Sequence, residues 1–393
     1  ADRKPVELNH GYQDVRACLH VHSRLSHDSK APIEEIVAGA KAAGVRVLMF
    51  NEHPSDKYDY VLDGHQGVRD GVLLIPGAEA NGFLAFPKQS VQKLGISSPQ
   101  EYVDLVRRTG GVVFLSHLEA RFASWKFRGM TGTEIYNSHA DFIGELGLVA
   151  KLPQKAFAME SAVEKYPQEA YSCIQDYSSF YLFLFDGLCA LRPHTAVAAN
   201  DAHHNLVFTA KLTEDGRIRI EDPDGDKVLE IAAERLEDPQ KRLAGKRPGD
   251  VVAKLDIDPY SISLKHVSTH LLMKELSAEE TWNALEHGRA YVAFDWIADP
   301  TGFAFLAEDG GKKTSMGSKV SWSPSLTLRA EAPLAARIRL MRGGVLVQEE
   351  NGRTLNRLVP KAGVYRVEYW LDVAGESKPW ILSNPIYVLP AGP

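Results

Sequence analysis

The feature that most restricts how this chain can fold is an alternation of short apolar runs and helical segments over residues 15–201. The runs are VRACLHVH (15–22), VRVLMF (45–50), GVLLIPGAEA (71–80), GVVFLSH (111–117), TEIYN (133–137) and TAVAAND (195–201). They are nearly all apolar, as parallel strands covered on both faces are. Between them, PIEEIVAGAKAAG has Pro32 in its first turn and Gly44 at its end. Ser98 to Glu101 forms a capping box with Pro99 at the first helical position, opening SPQEYVDLVRRTGG. This rhythm predicts an α/β barrel or an open α/β sheet.

The rhythm then breaks. Within 206–256, TEDGRIRIEDPDGDKVLEI alternates and carries Asp-Gly turn signals, which predicts a hairpin. Its DPDGD lacks the later ligand spacing of a calcium loop and reads as a turn. A second capping box, Ser277 to Glu280, opens SAEETWNALEHG. FYLFLF (180–185) is short enough to be a buried element. After Phe294, KVSWSPSLTLRAE, ARIRLMRGGVLVQEE and GVYRVEYWLDV alternate with Gly and Pro between them, predicting a β-sandwich. The chain therefore divides into 1–296, with 206–256 as an insertion, and a sandwich at 297–393.

Composition narrows the function. A net charge of −6 gives no basic patch for a nucleic acid. Cys18, Cys173 and Cys189 are too few and scattered for a disulfide framework or a thiolate zinc site. No run of apolar residues is long enough for a membrane span. The chain begins ADRKP without Met, as after signal-peptide removal, so an exported, periplasmic location is expected, with a cytoplasmic one as the alternative. Oligomeric state is open.

His, Asp and Glu recur where the predicted strands end. His20 and His22 close the first, Glu52 and His53 follow the second, and Glu79 closes the third. His117 closes the fourth, His139 follows the fifth, and Asp201, His203 and His204 close a later one. In α/β barrels the active site is built at that end. In H-x-H on a strand both imidazoles share a face, and a carboxylate such as Glu79 can bridge two cations. Clustered cations clamp an oxyanion and acidify water, so no Ser or Cys nucleophile is needed. His10, His65 and His194 read as structural, as do His266, His270 and His287, which lack acidic companions at strand ends.

The ordered set resembles the PHP (polymerase and histidinol phosphatase) superfamily over residues 14–204. It runs H-x-H, Asp28, a strand ending in His, P-G-x-E, S-H, E-x-x-N with a nearby His, then D-x-H. ALEHGRAYVAFD and VYRVEYWL…PWILSNPIYV resemble the subgroup with a C-terminal sandwich. The resemblance implies a distorted (β/α)7 TIM-like barrel, a trinuclear metal site of zinc, manganese or iron, and phosphoesterase activity. It implies His20, His22, Glu79 and Asp201 on one metal, with Glu79 bridging to His117 and His139 on a second. Asp28, His53 and His203 would hold the third. Glu52 stands where the family has Asp and is expected to orient His53 from behind. His27 and His204 are alternate ligands beside Asp28 and His203.

The expected activity is hydrolysis of a phosphate mono- or diester on a small phosphorylated substrate by a metal-bound hydroxide, centred on His20, Glu79 and Asp201. Arg24, Arg121, Lys126 and Arg128 are candidates for holding substrate. A metal-dependent amidohydrolase of C–N or lactone bonds is the alternative enzyme. A metal- or carbohydrate-binding protein is the alternative without catalysis. Trp370 and Trp380 are expected in the sandwich core, and the sandwich is expected to pack on the barrel and help wall the site.

Overall fold

A strand near the start of the chain, β1 (Gln13–Val21), organises everything around it in the computed structural model, which describes residues 2–9, 11–120, 126–144, 155 and 157–391. β1 pairs in parallel with β2 (Val47–Phe50) on one side. β2 pairs in parallel with β4 (Val72–Ile75), which forms a hairpin with the exposed β3 (Gly67–Arg69). The expected single strand at 71–80 is two, because Pro76 and Gly77 separate β4 from β5 (Ala78–Ala80). A side chain at Gly77 would meet Ala85 O at 2.5 Å, so the break can pass only as glycine.

β5 turns through Asn81 and Gly82, both at positive φ (53° and 86°), into the antiparallel β6 (Phe83–Phe86). β6 pairs antiparallel with β7 (Val112–Leu115). β7, β8 (Gly132–Asn137) and β9 (Thr195–Ala202) then run parallel, and β9 returns to β1. The sheet closes on itself. The fold is thus mixed α/β with a large sheet and more strands than helices. It departs from a strict β/α alternation at the β3–β4 and β5–β6 hairpins.

Helix α1 (Ile33–Ala42) covers the outside, burying Ile33, Ile36 and Val37 against Cys18, Val21, Leu48 and Phe50. Helix α2 (Pro99–Arg108) is capped as expected, the Ser98 hydroxyl accepting from Glu101 N–H at 3.2 Å. The core enclosed by the sheet holds Val15, Ala17, Leu19, Met49, Phe86 and Phe114. It is joined by Ala284 and Leu285 of the helix Ala278–Glu286, whose Ser277 cap also forms. The helix Ser179–Leu191 contains FYLFLF; Phe185 is buried, but Phe183 is 74% exposed, so this element is only half covered.

The segment after residue 206 forms its own antiparallel sheet from β10 (Val207–Leu212), β11 (Ile218–Glu221), β12 (Lys227–Ile231) and β13 (Val251–Asp256). DPDGD is its β11–β12 turn, with Asp222 Oδ1 accepting from the N–H groups of Asp224 and Asp226 at 2.9 Å. β14 (Ser268–Met273) pairs antiparallel with the first half of β1 and with β15 (Ala290–Ala293).

The C-terminal residues form β16 (Ala304–Asp309), β17 (Lys312–Ser315), β18 (Lys319–Ser321) and the long β19 (Thr327–Arg342). β20 (Val345–Leu358), β21 (Gly363–Val373), β22 (Glu376–Ser383) and β23 (Ile386–Leu389) follow. β22 pairs antiparallel with β15, so these strands continue the first sheet. Beneath them Arg366 forks onto Asp186 at 2.8 and 2.7 Å and reaches Glu368 at 2.6 Å, all three buried. Trp370 and Trp380 are buried, as expected of core residues. Among the described residues, no helix is long and apolar enough to cross a membrane.

Candidate metal centre

Strict alternation would send His20 and His22 the wrong way. Val15, Ala17 and Leu19 face the enclosed core, and Cys18 packs towards α1. His20 and His22 share the parity of Cys18. The register of β1 slips between Leu19 and Val21 against both neighbours, and His20 takes a left-handed backbone, φ 61°. This bulge moves Val21 to the α1 side and turns both imidazoles into the sheet's mouth. Alternation by i and i+2 alone would therefore put both imidazoles on one face of β1, but away from the mouth. His117 and Asp201 also sit at positive φ, 50° and 47°. Such backbone costs on the order of 1–3 kcal/mol per residue and persists only where surroundings hold it. Here Asn51 Oδ1 accepts from His20 N–H at 3.0 Å, and Glu134 Oε2 accepts from His117 N–H at 3.0 Å.

Three interlocking groups of ligand atoms result, each within 4.8 Å: His22, Asp28, His53 and His203; His20, Glu79 and His117; His20, His22 and Asp201. Glu79 lies centrally. Its Oε2 is 3.2, 3.7 and 3.9 Å from Nε2 of His20, His53 and His22, and its Oε1 is 3.1 Å from His117 Nε2. Asp201 is 3.3, 3.4 and 3.6 Å from Nε2 of His20, His22 and His117. Asp28 Oδ2 is 3.0 Å from His53 Nε2 and 3.2 Å from His203 Nε2.

Each of four histidines has an acceptor behind its other nitrogen. Nδ1 lies 2.8 Å from Glu134 Oε1 in His20, 2.9 Å from Glu119 Oε1 in His117, and 2.8 Å from Asp201 O in His203. In His22 the neighbour is Ser26 Oγ at 3.1 Å. That hydroxyl donates to Glu52 at 2.8 Å and accepts from His53 N–H at 2.9 Å, leaving one lone pair for a His22 Nδ1–H. In its neutral form each ring is thereby fixed with its proton on Nδ1 and the Nε2 lone pair towards the cluster, as metal-binding imidazoles require.

Glu119 was not foreseen as a site residue, and Glu134 entered only as the first residue of the E-x-x-N motif, with no role given to it. Glu52 has a different task from the one expected. It does not touch the His53 ring; it accepts from Ser23 and Ser26, and through Ser26 it sets His22.

The electrostatics are those of a pocket built for cations but holding protons. Burial disfavours charge on His20, yet Asp201, Glu79 and Glu134 outweigh it and raise its pKa well above the usual value. Burial opposes His117 too, but Glu119 and Glu79 push it up to about 10. Asp28 raises His53 by its hydrogen bond, and raises His203 against burial. In return these imidazoles hold Asp28, Glu79 and Asp201 below the carboxylate range despite burial. His22 is the exception: burial and the charge of His203 lower it to about 3, so it is neutral. Its Nε2 and Asp28 Oδ1 are buried without a hydrogen-bond partner. Two orphaned buried ligand atoms facing one donor set of imidazoles and carboxylates fit transition-metal or divalent cations.

Other expected residues fall outside these groups. His139 is exposed beside them, its ring 6.5 Å from that of His117 and 6.4 Å from that of His203. His27 is exposed with its ring 4.9 Å from that of His53. His204 turns away and is clamped between Glu35 at 2.5 Å and Asp256 at 3.0 Å, which removes it as an alternate ligand. Arg128 is exposed, and its backbone is tied to Gln100 beside α2. Lys126 is exposed. Arg121 and His10 lie outside the described residues. Arg24 lines a cavity of about 910 Å³ that opens onto His53.

Among the histidines read as structural, His270 does have acidic companions, Asp14 at 2.7 Å and Asp295 at 3.1 Å. Their side chains are buried at the β1–β14–β15 junction, away from the ends of β1 and β9 that carry the ligand groups. His266 bonds Tyr136 and Ser172, His65 lies 3.1 Å from Ser23 Oγ, and His194 is buried.

No family model matches the chain, and neither does any curated protein. Among solved structures it is similar to a two-domain protein from Bacteroides vulgatus described as containing a predicted PHP-like metal-dependent phosphoesterase. The identity is 13%, 98% of each chain is covered, and the TM-score is 0.39. At that level of likeness, the reading of the site rests on its own residues.

Proposed function

We propose that this chain is a metal-dependent phosphoesterase of the PHP type, with its closed sheet as that family's distorted barrel at 1–296 and a C-terminal sandwich at 297–393. One observation carries the reading. Four imidazoles, each with Nδ1 held from behind, present Nε2 to carboxylates that lie between them. His20, His22 and Asp201 would hold one cation, and Asp28, His53 and His203 another. Glu79 and His117 would begin a third set, with His139 as the nearest further imidazole. Bound there, divalent or transition-metal cations supply Lewis acidity towards phosphate oxygens and acidify water.

The chain's own residues do the rest. Glu134, Glu119 and Ser26 keep protons on the outward nitrogens, so the inward lone pairs need no rearrangement. Asn51 and Glu134 hold the strained backbone of His20 and His117, fixing two ligands by main chain as well as side chain. The cavity beside His53 leaves room for a small substrate, with Arg24 on its wall.

The test is elemental analysis of protein purified without chelator, followed by a panel of aryl phosphate mono- and diesters, amides and lactones. About three equivalents of metal, phosphoester turnover and its loss in His20→Ala are expected. Less than one equivalent after reconstitution, or turnover unchanged in His20→Ala, overturns the reading.

A further inference from the structure

Building on the phosphoesterase reading, we infer that the substrate carries a second anionic group, distinct from the ester that is cleaved, and that Arg24 and Lys57 bind it. The cavity of about 910 Å³ shares His53 with the metal-ligand groups, so a molecule in it reaches the centre at one end. Its walls are two loops, 24–27 after β1 and 53–58 after β2. Its lining carries two fixed cations, Arg24 and Lys57, and the imidazoles of His27 and His53, against one acid, Asp56. The side chains of Arg24 and Lys57 take part in no hydrogen bond or ion pair with a described residue. Other arginines on nearby elements are engaged: Arg16 with Asp295 at 2.8 Å and Arg69 with Glu34 at 3.1 Å.

Both loops are pinned, so these cations are not on free-swinging segments. Gln92 Nε2 donates to Ser55 O and Tyr58 O at 2.7 Å, and Tyr58 Oη donates to His53 O. On the other side Arg24 N–H donates to Ala31 O at 2.9 Å, and Glu52 holds Ser23 and Ser26. Cations carried on a pinned backbone bind an anion without the further cost of ordering the loops. The ester phosphate is served at the other end of the cavity by the ligand groups themselves. An unpaired guanidinium and ammonium further out suit a carboxylate or a second phosphate on the same molecule.

The test compares kcat/KM of the metal-loaded enzyme on three probes of matched length: propyl phosphate, 3-phosphonooxypropionate and propane-1,3-diyl bisphosphate. The wild type should favour the charged tails by about 5- to 30-fold, the scale of two partly exposed ion pairs. The preference should shrink as salt rises, since the Debye length is only ~8 Å at physiological ionic strength. In Arg24→Ala/Lys57→Ala the ratio of charged to neutral tail should fall to within about twofold of one. The better of the two charged probes identifies the second anion as carboxylate or phosphate. Hydrolysis of all three at equal kcat/KM, or a ratio unchanged in the double variant, overturns the subsite and leaves the phosphoesterase reading standing. Hydrolysis of none overturns both.

Discussion

Glu134 offers the sharpest test of how the centre is held. Its buried carboxylate accepts from His20 Nδ1 at 2.8 Å and from His117 N–H at 3.0 Å, and Asn137 Nδ2 approaches at 3.3 Å. Glu134→Gln keeps the shape and replaces one acceptor by a donor. If the amide oxygen faces His20, the amide nitrogen meets the His117 N–H, donor against donor, at a residue with a strained backbone. If it faces His117, the amide donates to His20 Nδ1, and the His20 proton moves to Nε2, the nitrogen needed for a cation. With a cation on His20 Nε2, which keeps the ring proton on Nδ1, either arrangement leaves one buried donor unsatisfied, at about 1–3 kcal/mol. At about 1.4 kcal/mol per decade that is roughly 5- to 140-fold in metal affinity. Competition against a calibrated chelator measures it directly, with circular dichroism as a control for folding. Glu119→Gln, at a partly exposed partner of His117, should cost less. An affinity for Glu134→Gln within twofold of wild type would refute the tautomer argument, because no rotamer of glutamine satisfies both donors while His20 Nε2 is on a cation.

Four further outcomes are expected. Arg366→Met strands buried Asp186, and denaturant unfolding should lose ~3–5 kcal/mol. Asp186→Leu/Arg366→Met should recover part of that, since Glu368 keeps Tyr177, Trp370 and Arg339; a double variant less stable than the single would count against the pair. In metal-free protein, stability should fall on both sides of neutrality. His270 is raised to about 9 by Asp14 and Asp295 against burial, so its contribution is complete below pH ~6.5 and is lost as pH rises through about 9. Burial lowers His194 and His266 to about 3, so theirs is complete above pH ~6.5 and is lost as pH falls towards about 3. His270→Gln should flatten the alkaline limb of a thermal scan, and an unchanged limb would exclude this cause. Saturating metal should raise unfolding free energy by about 2.7 kcal/mol per site at a hundredfold excess over Kd, and chelator should reverse it. His117→Ala should lose an equivalent of metal by elemental analysis, and His139→Ala, at the outer edge of the same set, should weaken retention of that equivalent by less.

Much of the chain was readable because its signals are local. β1, β2, β7, β8 and β9 announce themselves as apolar runs, and both Ser caps form with the hydrogen bond that defines them. The β5–β6 hairpin was missed although Asn81 and Gly82 signal it, because GVLLIPGAEA reads as one run. The bulge at His20 leaves no mark, since H-x-H looks the same on either face. Only the neighbours' registers force it. The Asp14–His270 pair joins residues 256 apart, so no spacing could reveal it. Glu52 was misjudged for a related reason: adjacency to His53 in sequence points its side chain elsewhere in space.

The pairing of β22 with β15 has a consequence for how the molecule would come apart. β15 has β14 on one edge and β22 on the other, and β14 in turn lies on β1, the strand that carries His20. A melt that began in the C-terminal strands would bare the edge of β15 and the buried faces of Ile135, Phe185 and Val292, which pack with Leu382 and Tyr387. Heat should therefore meet a single cooperative unit, and calorimetry one endotherm. Metal bound at the mouth would be felt far away, as slower amide exchange in β21 and β22. The C-terminal strands would then act as a reporter of occupancy without touching a single ligand.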